Sequence, residues 1–95
     1  MEKISRDKIK EVVYDSVKKQ MFDEKEFDRL ILTKSNNGED LLIYDELGFD
    51  SLDVTELILN LEYSFLGNNL KIDDDIFTNQ ITLGNIIDHI YNQQK

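Results

Sequence analysis

The sequence predicts an all-α fold, a small antiparallel bundle of three main helices and one short helix. Two observations support this class. Apolar residues recur at helical spacing in three separate segments, and each segment begins beside a residue that favours the N-terminal cap of a helix. A chain of 95 residues buries such stripes most simply by packing the helices against one another. We therefore expect a single domain over residues 1–95, with an extended connection at about 21–50.

The first main helix is predicted from about Ser5 to Gln20. Ser5 is a suitable N-cap, and an apolar stripe follows at a spacing of four residues in Ile9, Val13 and Val17. The remaining faces carry mixed charge, as is typical of a helix surface in contact with solvent. This helix should therefore bury one side only.

The connection at 21–50 contains a possible helix of about two turns. Asp23 is placed to be its N-cap, with Glu26 reaching back to complete a capping box. Phe22 and Phe27 have the spacing of a hydrophobic staple across this helix start. We therefore expect an added helix or flap here.

The second half of the connection reads as loop. A Ser-Asn-Asn-Gly sequence at 35–38 interrupts the possible helix. Residues 41–44 are apolar and partly β-prone, which would suit a short strand. Because the sequence offers this strand no partner, we expect a loop packed on the core instead.

The second main helix is predicted from Ser51 to about Phe65, and the Gly-Asn-Asn sequence at 67–69 should end it. Asp50 is a good N-cap, and Asp53 lies near the positive end of the helix dipole. At about 100° per residue, one third of the circumference is apolar and should face the core. Its members are Val54, Leu57, Ile58, Leu61 and Phe65.

The opposite side of this helix mixes carboxylates with apolar groups. Asp53, Glu56 and Asn60 fall away from the core stripe, and so do three large apolar side chains, Leu52, Leu59 and Tyr63. Such a surface suits a transient interface, in which acids steer a basic partner and apolar anchors hold it. The alternative is that Leu52 packs under the preceding loop and Leu59 against the short helix.

Two more helices are predicted near the C-terminus. A short one begins at Asp73 and includes Phe77, and the last one is capped by Thr82. The apolar stripe of the last helix follows helical spacing closely. Its members are Leu83, Ile86, Ile87, Ile90 and Tyr91.

Charge is distributed unevenly along the chain. Residues 1–34 hold nine Lys/Arg and eight Asp/Glu, whereas residues 35–95 hold two Lys/Arg and twelve Asp/Glu. An acidic field of this kind repels nucleic acid and anionic lipid and attracts basic protein surfaces. No apolar run is long enough to span a bilayer, and residues 1–6 lack an apolar signal-peptide centre. We expect a cytoplasmic monomer without a membrane or nucleic-acid partner.

Ser51 is the clearest candidate for a functional residue in the sequence. Its hydroxyl lies at the start of an acidic helix and three residues after Gly48, which allows the chain to turn. The chain has no Cys, and its one histidine, His89, lies in a different predicted helix, off the apolar stripe. A presented serine without a base is better suited to modification by another enzyme than to catalysis, so we expect a carrier rather than an enzyme.

The sequence around Ser51 resembles the prosthetic-group attachment motif of the acyl carrier protein family. Residues 45–57 read Asp-Glu-Leu-Gly-Phe-Asp-Ser-Leu-Asp-Val-Thr-Glu-Leu, and the family pattern is Leu-Gly, a variable residue, then Asp-Ser-Leu. The likeness continues at 61–65, 81–83 and 86–91. The connection before the motif is longer than is usual in the family.

The resemblance implies a function and a set of site residues. Ser51 would take a 4′-phosphopantetheine arm from coenzyme A, and Asp50 would help to position the loading enzyme, a phosphopantetheinyl transferase, or its metal ion. The docking surface for that enzyme and for the enzymes of fatty acid, polyketide or related biosynthesis, which should carry basic patches, would include Leu52, Asp53, Glu56, Leu59 and Glu62. The arm would carry acyl groups as thioesters.

Other functions are weaker matches to the residues. A serine hydrolase would need His89 as its base and lacks the second Gly of a nucleophile elbow. The acidic stretches at 36–40 and 73–75 lack the ligand spacing of a calcium loop. An interaction module with the carrier fold that is never modified stays open, as does a carrier for aminoacyl or other non-fatty cargo.

Overall fold

A computed structural model describes residues 3–65 and 70–94 of the chain. Within these residues it forms four α-helices, α1 (Arg6–Gln20), α2 (Glu24–Thr33), α3 (Ser51–Ser64) and α4 (Leu83–Asn92), with short 3₁₀ turns at Asn36–Gly38 and Asp74–Ile76. The predicted all-α class is confirmed. The possible helix in the connection is α2, which is as long as α4, whereas the predicted short helix is a single 3₁₀ turn. The expected helix end at 67–69 lies outside the described residues.

The core is built around α1, which packs against both α3 and α4. The predicted stripe of α1 is fully buried, in Ile9, Val13 and Val17. It meets the buried residues of the other two helices, which are Val54, Leu57, Leu61, Leu83, Ile86, Ile87 and Ile90. Full burial of such a side chain contributes about 1.5–3 kcal/mol. Tyr91 departs from the predicted stripe, because 41% of it is exposed at the edge of α4.

Helix α2 begins as predicted at Asp23, but without the predicted capping box and staple. The Asp23 carboxylate accepts a hydrogen bond from the Lys25 N–H at 3.0 Å, while the Glu26 side chain pairs with Arg29 instead of reaching back. Phe27 is buried edge-on against the Tyr14 ring of α1, with ring centroids 5.6 Å apart. Docking of α2 on α1 therefore takes Phe27 away from Phe22, which is left fully exposed.

The predicted short helix ends after one turn because its backbone groups are bonded locally. The Asp73 carboxylate accepts a hydrogen bond from the Asp75 N–H, and the Thr78 N–H donates to the Ile76 carbonyl at 2.9 Å. The second bond turns the chain away from the helical path. Ile76 and Phe77 are half-buried against the core.

The segment 41–44 packs on the core as expected, and it also has a backbone partner that the sequence did not reveal. The Ile43 N–H donates to the Ile81 carbonyl at 3.0 Å, and the Leu83 N–H donates to the Leu41 carbonyl at 3.1 Å. These bonds flank one antiparallel bridge between Leu42 and Thr82. The connection is therefore fixed to the start of α4 by main-chain hydrogen bonds. The side chains of Leu41 and Ile43, in the paired segment, are fully buried in the core.

Glu39 is a buried carboxylate two residues before this segment. Arg6 holds both of its oxygens, with distances of 3.0 Å to Oε2 and 2.5 Å to Oε1, and Lys10 lies 3.1 Å from Oε2. Arg6 also donates to Asp88 of α4 at 2.9 Å. These bonds to Arg6 and Lys10 lower the pKa of Glu39 to about 2. Arg6 of α1 therefore joins the connection, through Glu39, to α4, through Asp88.

We predict that Glu39 makes the fold sensitive to acid. Its folded pKa lies below the ordinary value of 4.5, so the unfolded chain binds the proton first as the pH falls. The stabilisation is complete above about pH 5 and is lost as the pH falls through 4.5 towards 2. Its size should be about 2 kcal/mol, allowing for solvent screening of Arg6. Urea unfolding across this pH range measures it.

The matched variants are Glu39→Gln and Asp88→Asn. The first should be less stable at neutral pH and should lose much of the acid dependence, whereas the second removes only an exposed partner of Arg6 and should keep most of it. An acid dependence in Glu39→Gln equal to that of the wild type would contradict this role for Glu39.

Candidate attachment site

A tight loop delivers the chain to the start of α3. The Leu47 N–H donates to the Leu42 carbonyl at 3.0 Å, and the Phe49 N–H donates to the Ile43 carbonyl at 3.2 Å. Leu47 and Phe49 are buried, whereas Gly48 between them is exposed and has a φ of +75°. Only glycine adopts this backbone readily, so Gly48 allows both neighbours to face the core.

The Glu46 side chain closes the same loop. One carboxylate oxygen accepts a hydrogen bond from the Leu42 N–H at 3.1 Å, and the other lies 2.6 Å from Lys34 Nζ. The ion pair with Lys34, followed by the bond from Leu42, lowers the pKa of Glu46. Glu46, an acid of the predicted motif, therefore has a structural role, because its two bonds stabilise the turn of this loop.

Asp50 and Asp53 cap α3 reciprocally. The Asp50 carboxylate accepts a hydrogen bond from the Asp53 N–H at 2.9 Å, and the Asp53 carboxylate accepts one from the Asp50 N–H at 3.0 Å. The predicted N-cap is confirmed, and the bonds form a complete capping box. Two carboxylates thus lie at the positive end of the helix dipole, where they stabilise the helix.

Ser51 is the first residue of α3 and is exposed. Its carbonyl accepts a hydrogen bond from the Thr55 hydroxyl at 2.9 Å, which secures the first turn. Among the described residues, its hydroxyl and the N–H groups of Ser51 and Leu52 have no hydrogen-bond partner. These N–H groups at a helix start are suitable donors to a phosphate oxygen. The site therefore fits a phosphodiester on the serine.

The structure gives Ser51 no catalytic partner within the described residues. His89 lies on α4, half-buried, and its ring nitrogen is 2.8 Å from the Gln93 side chain. No group of three or more His, Asp or Glu residues is arranged to hold a metal ion in the part of the chain that is described. Asp40 and Asp73, from the two acidic stretches, accept hydrogen bonds from Ser35 and from the Asp75 N–H.

The apolar residues predicted on the outer face of α3 are exposed. The exposed fractions are 78% for Leu52, 61% for Leu59 and 75% for Tyr63. The alternative, in which Leu52 and Leu59 pack under neighbouring segments, is therefore wrong. Glu56 is exposed beside them. These side chains form a mixed apolar and acidic surface next to Ser51.

The structure uses two of the predicted docking acids for its own hydrogen bonds. Asp53 belongs to the capping box, and a Glu62 carboxylate oxygen accepts a hydrogen bond from the Ile72 N–H at 3.1 Å. Both side chains are half-buried. Their role in docking stays a prediction, and Glu56 is the more accessible carboxylate.

Gln20 is a site residue that no pattern in the sequence indicates. From the last turn of α1, its Nε2 donates to the Asp53 carbonyl at 2.9 Å, and its Oε1 accepts a hydrogen bond from Asn60 at 3.3 Å. It thereby ties the end of α1 to two points along α3. No spacing rule connects a glutamine in one helix to a carbonyl 33 residues later.

We predict that the capping box, rather than the negative charge of Asp50, determines the stability of this helix start. Asp50→Ala removes the acceptor for the Asp53 N–H and should cost about 1 kcal/mol. Asp50→Asn keeps a good capping oxygen and should cost a few tenths of that amount. Thermal and urea unfolding measure both, and equal losses in the two variants would contradict this role of the cap.

Comparison with known protein families identifies the family of the chain. Residues 38–90, more than half of the chain, match the family model described as "Phosphopantetheine attachment site". No solved structure matches the chain. The matched range runs from the connection through α3 to α4 and confirms the resemblance drawn from the motif. The chain therefore belongs to the phosphopantetheine attachment-site family and is a carrier protein for 4′-phosphopantetheine, held covalently.

Proposed function

We propose that Ser51 is the attachment residue and that this chain presents acyl groups to the enzymes of fatty acid, polyketide or related biosynthesis. The observation that carries the proposal is the geometry of Ser51, an exposed hydroxyl on the first residue of a helix whose preceding turn and cap are fixed. The arm supplies a terminal thiol, on which an acyl group is held as a thioester.

The loading step requires no base from this chain. The Ser51 oxygen attacks the phosphorus of coenzyme A that bears the pantetheine, and a new P–O bond forms. The bond from that phosphorus to the adenosine bisphosphate breaks, and the serine proton passes to the loading enzyme. The N–H groups of Ser51 and Leu52 would donate hydrogen bonds to the phosphodiester once it is attached. The Asp50 carboxylate lies next to the serine in the chain and is available to the loading enzyme or its Mg²⁺.

The exposed face of α3 supports the second part of the proposal, which concerns partner enzymes. Leu52 lies next to Ser51 in the chain and is largely exposed, and Glu56 follows one turn later. A basic patch on an enzyme would be attracted by the acids, and an apolar pocket would receive Leu52. Contact at this face would bring Ser51 to the partner's active site.

Loading can be tested by intact mass after incubation with coenzyme A, Mg²⁺ and a broad-specificity phosphopantetheinyl transferase. We expect one phosphopantetheine increment on the wild type and none on Ser51→Ala. The control is Ser64→Ala, because Ser64 is an exposed serine at the other end of α3. It should load fully. Asp50→Asn keeps the cap and should load more slowly.

An increment on Ser51→Ala would place the arm on another residue. No increment on the wild type, with a transferase that is active on a control carrier, would favour an interaction module that is never modified.

Docking can be tested with Leu52→Glu and Leu32→Glu. Leu32 on α2 is 86% exposed, so the two variants make the same chemical change at leucines that are both on the surface. Loss of an interface anchor should slow loading of Leu52→Glu by about tenfold at low carrier concentration. Leu32→Glu should load normally, and both variants should unfold close to the wild-type midpoint. Equal loading of the two variants would contradict the assignment of Leu52 to the interface.

A further inference from the structure

A cleft of about 380 Å³ lies beside the start of α3. One side is the junction between α1 and α2, and the other is the loop that leads to Ser51. Its apolar lining comes from both sides, in Met21, Phe22, Leu47 and Phe49. The volume is at the lower end of the range for small-molecule sites, about 300–1,000 Å³. The cleft is therefore large enough for part of a ligand.

Phe22 lines this cleft with an exposed aromatic side chain. Its side chain is fully exposed, and its expected staple partner, Phe27, is buried against Tyr14 instead. An exposed aromatic ring beside apolar residues offers a contact surface that a ligand can cover, and covering it is favourable. Gly48 leaves the opposite wall open, because a Cβ at that position would meet no atom within 4 Å.

The proposed attachment residue, Ser51, does not line the cleft but is close in sequence to residues that do. Asp53 lines it and belongs to the first turn of α3, two residues after Ser51. A group attached to Ser51 is held near the cleft at a high effective concentration, so that even weak contacts are sufficient to seat it. Free ligands lack this advantage and would bind poorly to so open a site. We therefore expect the cleft to be occupied by a group attached to Ser51 and not by a free ligand.

The rim of the cleft restricts the charge of that occupant. Three acidic residues, Asp23, Glu26 and Asp53, are among those that line it. Glu26 is paired with Arg29, whereas the other two have only backbone N–H partners among the hydrogen bonds of the described residues. A cargo that ends in a carboxylate would be repelled here, while an uncharged acyl chain would gain contact with Phe22 and Met21.

We infer that this cleft seats the arm on Ser51 together with the beginning of an uncharged, apolar acyl group. The inference rests on the proposed function and adds to it a cargo class and a role for the connection between α1 and α2. In this arrangement α2 is needed because its start, with Asp23 and Phe22, forms one side of the seat.

The test compares two cargoes of similar length on the loaded carrier, a hexanoyl group and a glutaryl group that ends in a carboxylate. Isotope-filtered NMR on the labelled protein detects contacts between cargo protons and the Phe22 ring. Hydroxylamine release of the thioester gives a second readout, because a seated thioester is less accessible. The variants are Phe22→Ser and, as control, Leu32→Ser. Both residues are exposed, so neither change removes core packing.

We expect cargo contacts to Phe22 with hexanoyl and weaker or no contacts with glutaryl. Phe22→Ser should speed hydroxylamine release of the hexanoyl group by about threefold, and Leu32→Ser should leave it unchanged. A loaded carrier whose hexanoyl group contacts core residues such as Leu61 and Ile87, or contacts no residue, would overturn the inference alone. A chain that cannot be loaded at Ser51, as judged by intact mass, would overturn the proposed function as well.

Discussion

The backbone pairing of residues 39–43 with residues 81–84 is the constraint on which the rest of the structure depends. The hydrogen bonds of Ile43, Leu83 and Gly84 hold the middle of a long connection against the start of α4. Because the loop up to Phe49 bonds back to Leu42, Ile43 and Tyr44, its position follows from that pairing. The start of α3 and the exposure of Ser51 follow in turn. Arg6 adds the link to α1 through the buried Glu39.

The acidic residues near Ser51 include four that accept hydrogen bonds within the fold and one, Glu56, that is exposed to solvent. Asp50 and Asp53 satisfy backbone N–H groups at the helix start, Glu46 closes the loop, and Glu62 holds the N–H of Ile72. These four acids therefore stabilise the fold through hydrogen bonds to backbone N–H groups. Glu56 is exposed, and with Leu52 and Leu59 it forms the surface that is available for docking.

The sequence was sufficient where local chemistry decides the structure. Helix caps at Ser5, Asp50 and Thr82 depend on residues within three positions, and the buried stripes depend on a regular spacing, so both could be predicted. The failures involve contacts distant in sequence. Phe27 packs on Tyr14 rather than on Phe22, and the 41–44 segment finds its partner some forty residues later. No local rule identifies such pairs, and for the same reason the cleft beside Ser51 could not be foreseen.

Localisation of the prosthetic group on the unaltered chain tests the central claim most directly. Tandem mass spectrometry of the loaded wild-type protein assigns the added mass to a residue and needs no substitution at the helix start. The exposed hydroxyl at the start of α3 predicts one phosphopantetheine, on Ser51. Location of the group on Ser5, Ser16, Ser35 or Ser64 would contradict the claim that the fixed turn and cap exist to present Ser51.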